Sequence, residues 1–410
     1  MKNITNIPVW FIICVSLFIT YLFLFVRPVF LNSAHSMFFP HYVPSVDPIG
    51  YDLRAMLSYS VEWMKGCTPY VGGILYPPLA NVFFSPLAAL RFPVAYFLVT
   101  VVSVAAFVSV ALALPLASCQ KPDRTALIAL TFAGLLSYGF QFEIERGQFN
   151  VLAGACCAWA IFLFHSGNTK WVRLGAYLLF TVAIQLKLYP AIFVFAFARN
   201  ARDWKRNLVR WTALGVVNIA LLFALGPWVF RGFLVAVTAQ ITNPFVWIGN
   251  HSIKSFVILH QPGTGPFTSF LGLACVLILT VCFVSILALV YVRNVRSSFK
   301  YLVTICGLSA MLIPSVSHDY KLTILSMAFA MFVGETRPIM VNRFSGVVMA
   351  VLLFTLGMLY AWTLFSFTFK PFLQNNAPVL LSTCIVLVVI MLTEEMQKRE
   401  LRRTSESTVS

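Results

Sequence analysis

The residues of this chain that could perform chemistry are polar side chains that interrupt an otherwise apolar sequence. A carboxylate combined with several cations suits a site that binds an anionic group and also removes a proton. The set comprises Asp47, Asp52, Glu143, Glu145, Arg146, Gln148, Asn150, Lys187, Asn250, His251, Lys254, His318, Asp319 and Lys321. The elements that carry these residues must therefore bring distant parts of the chain together.

The composition predicts that those elements are membrane helices. Of the 410 residues, 60% are hydrophobic and only 10% are charged. Many apolar runs approach the length of about 20 residues that a helix needs to cross a bilayer. The sequence therefore predicts an all-α polytopic membrane protein with roughly 11 to 13 transmembrane helices, the first within residues 8–27. A soluble protein is excluded because it would have to hide nearly all these runs from water.

The positive charge is concentrated in short loops, although the net charge of +16 at first suggests nucleic-acid binding. The segments NTKWVR, ARNARDWKRNLVR, RNVRSSFK and KRELRR separate apolar runs, which is the positive-inside pattern of membrane proteins and not a nucleic-acid surface. If these loops are cytoplasmic, residues 28–76 form an extracytoplasmic loop. The polar set then gathers on the extracytoplasmic side.

The chain is predicted to form one membrane domain over residues 1–396, followed by a basic cytoplasmic tail over 397–410. Its nine cysteines are scattered and form no C-x-x-C motif. Neither a disulfide framework nor a metal site is expected. No cofactor is predicted.

Two apolar segments are predicted to break within the membrane. The segment from residue 174 to 206 has basic loops at both ends. Two half-length helices, broken near Lys187 to Pro190, would place both loops on the cytoplasmic side of the membrane. The sequence PSVSHDYK breaks a second segment in the same way. Non-helical backbone at membrane depth requires surrounding protein or a water-filled cavity, so the two breaks predict a cavity. Between them, a span from about 211 to 230 is predicted to lead out to the loop that contains GNHS.

An amphipathic helix is predicted over residues 52–65 of the outer loop, ending at Gly66. Its apolar face would comprise Leu53, Met56, Leu57, Val61 and Met64. Asp52 at its start has two interpretations, a helix cap worth about 1 kcal/mol or a catalytic base. The two roles can coexist. Asp47 precedes a proline and is typical of a solvated turn.

The other candidates also have structural alternatives. A lysine near the middle of a membrane helix costs about 2.5 to 3.5 kcal/mol, which favours a functional role for Lys187 over a side chain that extends to the interface. Gln148 and Asn150 can satisfy backbone groups at a helix start. His251 and His318, taken singly, are typical of loop or interfacial histidines.

The order of several motifs resembles glycosyltransferase family 87. These motifs are DLRAMLSYSVEWMKGCTPY, YPPLANVFFSPLAAL, RGQFNVL, AIQLKLYPAIF followed by a basic loop, IGNHS and HDY. The resemblance spans roughly residues 45–330. It implies a class C membrane glycosyltransferase fold and polyprenyl-phosphate-mannose-dependent mannosyltransferase activity, in the plasma (inner) membrane of a bacterium with the active site on the periplasmic or outer face. The implied partners are a polyprenyl-phosphate sugar donor, a lipid-linked or glycan acceptor and membrane lipids.

The resemblance also implies an acidic catalytic base in the first outer loop, about fourteen positions before the glycine of a G-x-x-x-Y segment. Counting back from Gly66 gives Asp52. The resemblance also implies a tyrosine four positions after the base; Asp52 has Met56 at that position, whereas Asp47 has Tyr51, so both aspartates remain candidates. A lipid phosphate is already a good leaving group, so one carboxylate suffices and inversion is expected.

Fixed cations would stabilise the departing phosphate and amides would bind sugar hydroxyls. The phosphate-binding candidates are Lys187, Arg146, His251 and His318, and the sugar-binding candidates are Gln148, Asn150 and Asn250.

Two other functions fit the pattern of broken helices with polar groups. A secondary transporter or a flippase of a lipid-linked glycan would need polar groups near the midplane with access from both sides, whereas here they gather at one face. A non-catalytic scaffold of an envelope-assembly complex would leave the polar set without chemistry. The one-sided cluster favours the enzyme.

Overall fold

The structure, a computed structural model, describes residues 11–12, 14–16, 18, 49–72, 75–119, 122–199, 203–261, 266–292, 298–334, 343–360 and 366–407. Its described residues are almost entirely helical and contain no β-strand. The prediction of an all-α membrane protein is confirmed. Of the predicted first span, only six residues are described, and all six are helical.

The helices are numbered here in chain order. They are α1 Tyr51–Met64, α2 Pro78–Ala88, α3 Phe92–Val108, α4 Leu114–Ser118, α5 Arg124–Leu135, α6 Tyr138–Arg146, α7 Asn150–Ser166, α8 Lys170–Leu186, α9 Trp204–Leu222, α10 Pro227–Thr242, α11 Ile253–His260, α12 Pro266–Val292, α13 Ser298–Leu312, α14 Leu325–Val333, α15 Arg343–Tyr360 and α16 Ser366–Ser407. A π-helical turn, Ser109–Ala113, joins α3 to α4, and 3₁₀ helices cover Pro69–Gly72, Tyr189–Ala196 and Asp319–Ile324.

Few of these helices are long enough to cross a membrane alone. Among the described residues, the long apolar helices are Phe92–Ser118, Phe270–Tyr291 and Asn375–Gln397, and the number rises to five if each of two bent pairs is one span. That is fewer than the predicted 11 to 13 crossings. The predicted number also includes shorter apolar helices, which here are Pro78–Ala88, Asn150–Ser166, Phe299–Leu312 and Gly346–Leu359, and segments outside the described residues.

One of the bent pairs corrects the predicted span from 211 to 230. Helix α9 ends at Leu222, and α10 continues from Pro227 at an angle of 106° to it. Gly226 takes φ 94° at the break, a left-handed conformation that favours glycine, and the proline that follows suits the first position of a new helix. The other bent pair, α5 and α6, turns by 50°.

Both helix breaks occur at the predicted positions, although α8, with 17 residues, is longer than the predicted half-length helix. Helix α8 ends at Leu186, Lys187 takes extended backbone angles, and the chain continues as the 3₁₀ helix Tyr189–Ala196. Similarly, α13 ends at Leu312 and the 3₁₀ helix Asp319–Ile324 leads into α14. Proline at 190 and 314 explains why neither helix simply continues.

Helices α7 and α8 form an extensively packed antiparallel pair. Small buried residues line α7, which allows close helix contact; they include Ala153, Gly154, Ala155, Cys157, Ala158 and Ala160. Thr169 begins α8, and its hydroxyl accepts a hydrogen bond from the Val172 amide at 3.2 Å. The inner ends of this pair, at Asn150 and Lys187, lie beside each other.

Helix α1 is present as predicted, but its start and its buried face differ from the prediction. Gly50, with φ 75°, precedes the helix, so Asp52 is in the first turn and does not cap it. The buried side chains are Leu53, Met56, Leu57 and Ser60. Val61 is half-buried and Met64 is exposed, because the end of α1 extends beyond its packing partners.

The turn after α6 fixes α1 in place. Gly147 ends α6 with φ 66°, and a Cβ built there would lie 2.7 Å from the Leu53 Cβ. Nearby, the Gly50 amide donates to the Glu145 carbonyl at 2.7 Å and the Tyr96 hydroxyl donates to the Ile144 carbonyl at 2.8 Å. The first turn of α1 therefore packs directly on the backbone of residues 144–147.

Replacing Gly147 by alanine should destabilise the protein by about 1 to 3 kcal/mol, because the new side chain meets both an unfavourable φ and the Leu53 Cβ. The measurement is the thermal unfolding midpoint of the detergent-purified protein at a fixed heating rate. Gly215→Ala is the matched control, since nothing lies within 4 Å of its added Cβ. Equal midpoints for the two variants would contradict the proposed packing.

Candidate active site

A cavity of about 760 Å³ lies where the two helix breaks meet α1. This volume is within the range of small-molecule sites, about 300 to 1,000 Å³. Its polar and aromatic lining comprises Asp52, Tyr76, Phe142, Arg146, Gln148, Asn150, Lys187, Tyr189, Gln240, Phe245, Trp247, Lys254, Ser315, His318, Tyr320 and Lys321. Apolar residues of α10, α12 and the chain around 313–316 complete the wall.

Gln148 joins a carboxylate and an ammonium group in this cavity. Its Nε2 donates to Asp52 Oδ2 at 2.6 Å, and its Oε1 accepts from Lys187 Nζ at 2.6 Å. A carboxylate only accepts and an ammonium only donates, so this is the one amide orientation that satisfies both neighbours. Asp52 and Lys187 are consequently held on opposite sides of one side chain instead of forming a direct ion pair.

Aromatic rings surround the Lys187 ammonium. Its Nζ lies 4.2 Å from the Tyr76 ring centroid and 4.5 Å from that of Phe149. Such cation–π contacts stabilise a partly desolvated cation. The Tyr76 hydroxyl lies 3.1 Å from Gln148 Nε2 and 3.3 Å from its Oε1. Burial raises the pKa of Tyr76, so the phenol remains protonated and neutral beside Asp52.

Glu143 orders the backbone that carries Gln148. Its Oε1 accepts from the Val151 amide at 2.6 Å and its Oε2 accepts from the Thr323 hydroxyl at 2.8 Å. The carboxylate thus satisfies an amide in the first turn of α7, where Phe149 precedes the helix without a side-chain cap. The same side chain connects the start of α7 to the second helix break.

The first helix break is held against α7 by Tyr189. Its hydroxyl donates to the Asn150 carbonyl at 2.7 Å. This bond fixes the chain just after Lys187, so the lysine projects from an extended residue at the end of α8. Asn150 itself lines the cavity, and its Nδ2 lies 3.5 Å from Gln148 Oε1.

The second helix break supplies further cationic and aromatic groups. His318 Nδ1 accepts from Trp247 Nε1 at 2.9 Å, so a neutral imidazole carries its proton on Nε2. Lys321 is 7% exposed, and its Nζ donates to the Val316 carbonyl at 2.9 Å. Both residues line the cavity.

Arg146 also lines the cavity, at the end of α6. Its Nε lies 3.5 Å from Glu145 Oε2, and its guanidinium carbon lies 5.2 Å from the Phe142 ring centroid. The structure therefore brings six of the predicted site residues together. These six are Asp52, Arg146, Gln148, Asn150, Lys187 and His318.

Asn250 and His251 do not line this cavity. The Asn250 amide nitrogen donates to the Phe245 and Ser315 carbonyls, and its oxygen accepts from the Ser252 and Ser317 amides. Two of these bonds, with Ser315 and Ser317, join the loop before α11 to the second helix break, and the other two hold the loop itself in shape. Asn250 is only 3% exposed, so its predicted contact with a sugar is replaced by a structural role.

His251 makes a buried contact with Asp319 that the sequence did not reveal. Its Nε2 lies 2.6 Å from Asp319 Oδ1, and Asp319 Oδ2 accepts from the Tyr138 hydroxyl at 2.8 Å. His251 and Asp319 are completely buried. This arrangement ties α6 to the second break. His251, which was predicted to bind phosphate, does not line the cavity.

Asp47 lies outside the described residues, so the structure gives no geometry for the second candidate base. Tyr76, Trp247 and Tyr320 were missed as site residues because aromatic residues are common throughout this chain. Lys254 and Lys321 were recognised as unusual polar residues without an assigned role. Among the described residues, no group of three or more His, Cys, Asp or Glu side chains is arranged to hold a metal ion.

Comparison with protein-family models matches residues 75–315 to glycosyltransferase family 87. The match spans more than half of the chain. It runs from just before α2 to residue 315, at the beginning of the second helix break, and includes most of the cavity lining but not Asp52, His318 or Lys321. Among curated proteins, no significant match is found.

Replacing Asn250 by alanine should lower the thermal unfolding midpoint because four hydrogen bonds are lost at a buried position. Asn81→Ala is the control, since Asn81 is fully buried and its side chain makes one hydrogen bond, to the Pro78 carbonyl. The loss for Asn250→Ala should be about 2 kcal/mol greater than for the control. A smaller loss than in the control would contradict the structural role.

Proposed function

The chain belongs to glycosyltransferase family 87, and on this premise we propose that it transfers a hexose, mannose by family resemblance, from a polyprenyl-phosphate sugar to a lipid-linked or glycan acceptor. The protein is an integral-membrane glycosyltransferase. The donor, the sugar, the acceptor and the mechanism belong to the proposal. The observation that carries it is the pair of Asp52 and Lys187 joined through Gln148 in one cavity.

Asp52 is proposed as the general base. Among the described residues that line the cavity, only Asp52 has a carboxylate. Its Oδ2 is engaged by Gln148, and no described residue donates a hydrogen bond to its Oδ1. Oδ1 is therefore suited to accept the proton of an acceptor hydroxyl. The family match together with this carboxylate favours an enzyme over a transporter or flippase.

The proposed reaction is one displacement with inversion. The acceptor oxygen forms a bond to the anomeric carbon while the bond from that carbon to the phosphate oxygen breaks. The bonding electron pair leaves with the polyprenyl phosphate, and the acceptor proton moves to Asp52. No acid has to protonate the leaving group, unlike in glycosidases that use a second carboxyl group.

Lys187 is proposed to stabilise the departing phosphate. One of its three N–H donors is used by Gln148, so the others can reach an oxygen of the donor. Arg146 lines the same cavity and is proposed to assist, with the adjacent Lys321 adding positive charge. His318, whose Nδ1 accepts from Trp247, is proposed to assist as a neutral donor through its Nε2–H. Charge that develops on the phosphate during bond breaking is stabilised by such fixed cations. Gln148 acts in this scheme by orienting Asp52, and Asn150 remains the candidate contact for a sugar hydroxyl.

The site is proposed to face the extracytoplasmic side. Lys187 is at one end of α8, whereas the basic segment NTKWVR is at the other end. A helix of 17 residues is about 25 Å long at 1.5 Å per residue, which approaches the thickness of the hydrocarbon core. Basic loops favour the cytoplasmic side, so the cavity lies on the opposite side.

The role of Asp52 is tested by transfer of labelled hexose from a polyprenyl-phosphate donor in membranes that contain each variant. Asp52→Asn should lower transfer by about 100-fold or more because the proton acceptor is lost. Glu62→Gln is the matched control, since it removes a half-exposed carboxylate from the same helix. It should retain activity.

Two outcomes would contradict parts of this assignment. Full transfer by Asp52→Asn, together with loss of transfer in Asp47→Asn, would assign the base to Asp47. Absence of transfer by the wild-type protein with every polyprenyl-phosphate hexose tested would exclude that class of donor.

Lys187→Met should lower kcat by about 100-fold with little change in KM, because its contact with the phosphate strengthens as the bond breaks. Lys205→Met on the exposed start of α9 is the control and should match the wild type. The measurement is steady-state transfer at varied donor concentration. An increase confined to KM would show that Lys187 binds the donor equally before and during the reaction.

A further inference from the structure

A cluster of three arginines lies at the end of the α7 and α8 pair that is remote from the cavity. Arg173 is in the first turn of α8, Arg199 follows the 3₁₀ helix Tyr189–Ala196, and Arg210 is in the second turn of α9. The guanidinium carbons of Arg199 and Arg210 lie 5.5 and 5.0 Å from the Phe164 ring centroid, and Arg173 and Arg199 bond to the adjacent carbonyls of Asn168 and Gly167. Burial, and then the charges of Arg173 and Arg210, lower the pKa of Arg199. Three segments of the chain thus bring like charges together.

Internal hydrogen bonds explain only part of this arrangement. Arg199 Nη2 donates to the Phe164 carbonyl at 2.9 Å and to the Gly167 carbonyl at 2.7 Å, which satisfies the end of α7. Arg210 donates from Nη1 to the Phe197 carbonyl at 2.9 Å and from Nε to the Tyr177 hydroxyl at 3.1 Å. These bonds orient the two guanidinium groups without neutralising either charge.

Several donors of the cluster have no acceptor among the described residues. The Arg173 Nε is buried and makes no hydrogen bond, and Arg173 Nη2 has only a bond of 3.4 Å to the Asn168 carbonyl. A guanidinium has five N–H donors. Arg199 uses two and Arg210 three, the third to Asn207 Oδ1 at 2.9 Å, so both retain donors without an acceptor among the described residues. Within the described residues, none of the three arginines forms an ion pair. The cluster therefore has the donors and the charge to bind an anion.

The surface beside the cluster is suited to lipid chains. Trp171, Leu174 and Leu178 follow one face of α8 and are 81%, 45% and 59% exposed. Trp204 and Leu208 continue this apolar surface on α9, with exposures of 61% and 51%. Exposed tryptophan next to basic residues is typical of the membrane interface, where the indole lies at headgroup level.

We propose that Arg173, Arg199 and Arg210 bind the phosphate of an anionic phospholipid headgroup in the leaflet opposite the cavity. The guanidinium donors bind the phosphate oxygens, and the exposed face of α8 contacts the acyl chains. General attraction between basic loops and an anionic leaflet needs no defined geometry. The fixed orientation of the Arg199 and Arg210 guanidinium groups, each held by hydrogen bonds of 2.7 to 3.1 Å, is what indicates a defined site.

The test measures lipid binding by the full-length protein in detergent, by native mass spectrometry and by the thermal unfolding midpoint. Dioleoyl phosphatidylglycerol should bind and raise the midpoint, whereas dioleoyl phosphatidylcholine should do neither. Arg173→Gln should weaken phosphatidylglycerol binding by about tenfold, because a charge-assisted hydrogen bond and one charge are lost. Lys170→Gln removes the same charge from an exposed position in the same turn of α8 and should change binding by less than about twofold.

Three results would overturn the proposal. Equal weakening by Lys170→Gln and Arg173→Gln would indicate diffuse surface charge. A midpoint increase with sodium phosphate at matched ionic strength, equal to that with phosphatidylglycerol, would indicate a site for small anions. Equal binding of the two lipids would exclude recognition of negative charge.

A second variant keeps the test decisive if Arg173→Gln does not fold. Arg173→Lys retains the charge but loses the planar pair of donors, and it should weaken binding by about threefold. Hexose transfer is measured separately on each variant. Failure of lipid binding with intact transfer would count against this site alone and leave the proposed enzymatic function standing.

Discussion

The Gln148 side chain keeps a negative and a positive charge close without letting them neutralise each other. In direct contact, Asp52 and Lys187 would form an ion pair, in which the carboxylate oxygens would accept hydrogen bonds from the ammonium group. With the amide between them, the carboxylate keeps one oxygen and the ammonium keeps further donors available, as the proposed reaction requires. The rest of the site depends on holding this one amide in place.

Breaks in the helices make that position possible. Gln148 follows the left-handed turn at Gly147, and Lys187 follows the end of α8, so both polar side chains emerge where helical periodicity stops. The Val151 amide at the start of α7 finds a partner in Glu143, and the Tyr189 hydroxyl attaches the first break to the Asn150 carbonyl of the same turn. In a membrane protein such breaks are stable only when every exposed backbone group is satisfied by the surrounding fold. The polar residues of the site and the helix breaks therefore belong to one structural feature.

Much of this arrangement follows from local sequence, and the remainder depends on distant contacts. Basic loops and prolines predicted both breaks, and an apolar periodicity predicted α1. The same reasoning could not choose between the two roles of Asp52. Its hydrogen-bond partner Gln148 is 96 positions away in the sequence, so the local pattern carries no sign of it. Asn250 and His251 looked available for a ligand, yet Ser315, Ser317 and Asp319 engage them from the second break. Aromatic contacts such as Tyr76 with Lys187 carry no local signal in a chain so rich in aromatic residues.

The anchoring of α1 also has a consequence for how the protein responds to its lipid environment. An interfacial helix that is positioned only by its apolar face moves with the headgroups when the bilayer thickens or thins. Here the first turn of α1 is fixed to the backbone of residues 144–147 by the Gly50 amide and by the contact of Gly147 with Leu53. Only the far end of the helix, where Met64 is exposed, is left to follow the membrane surface. The depth of the Asp52 carboxylate is thereby set by the protein core, so its alignment with Lys187 is independent of local membrane thickness.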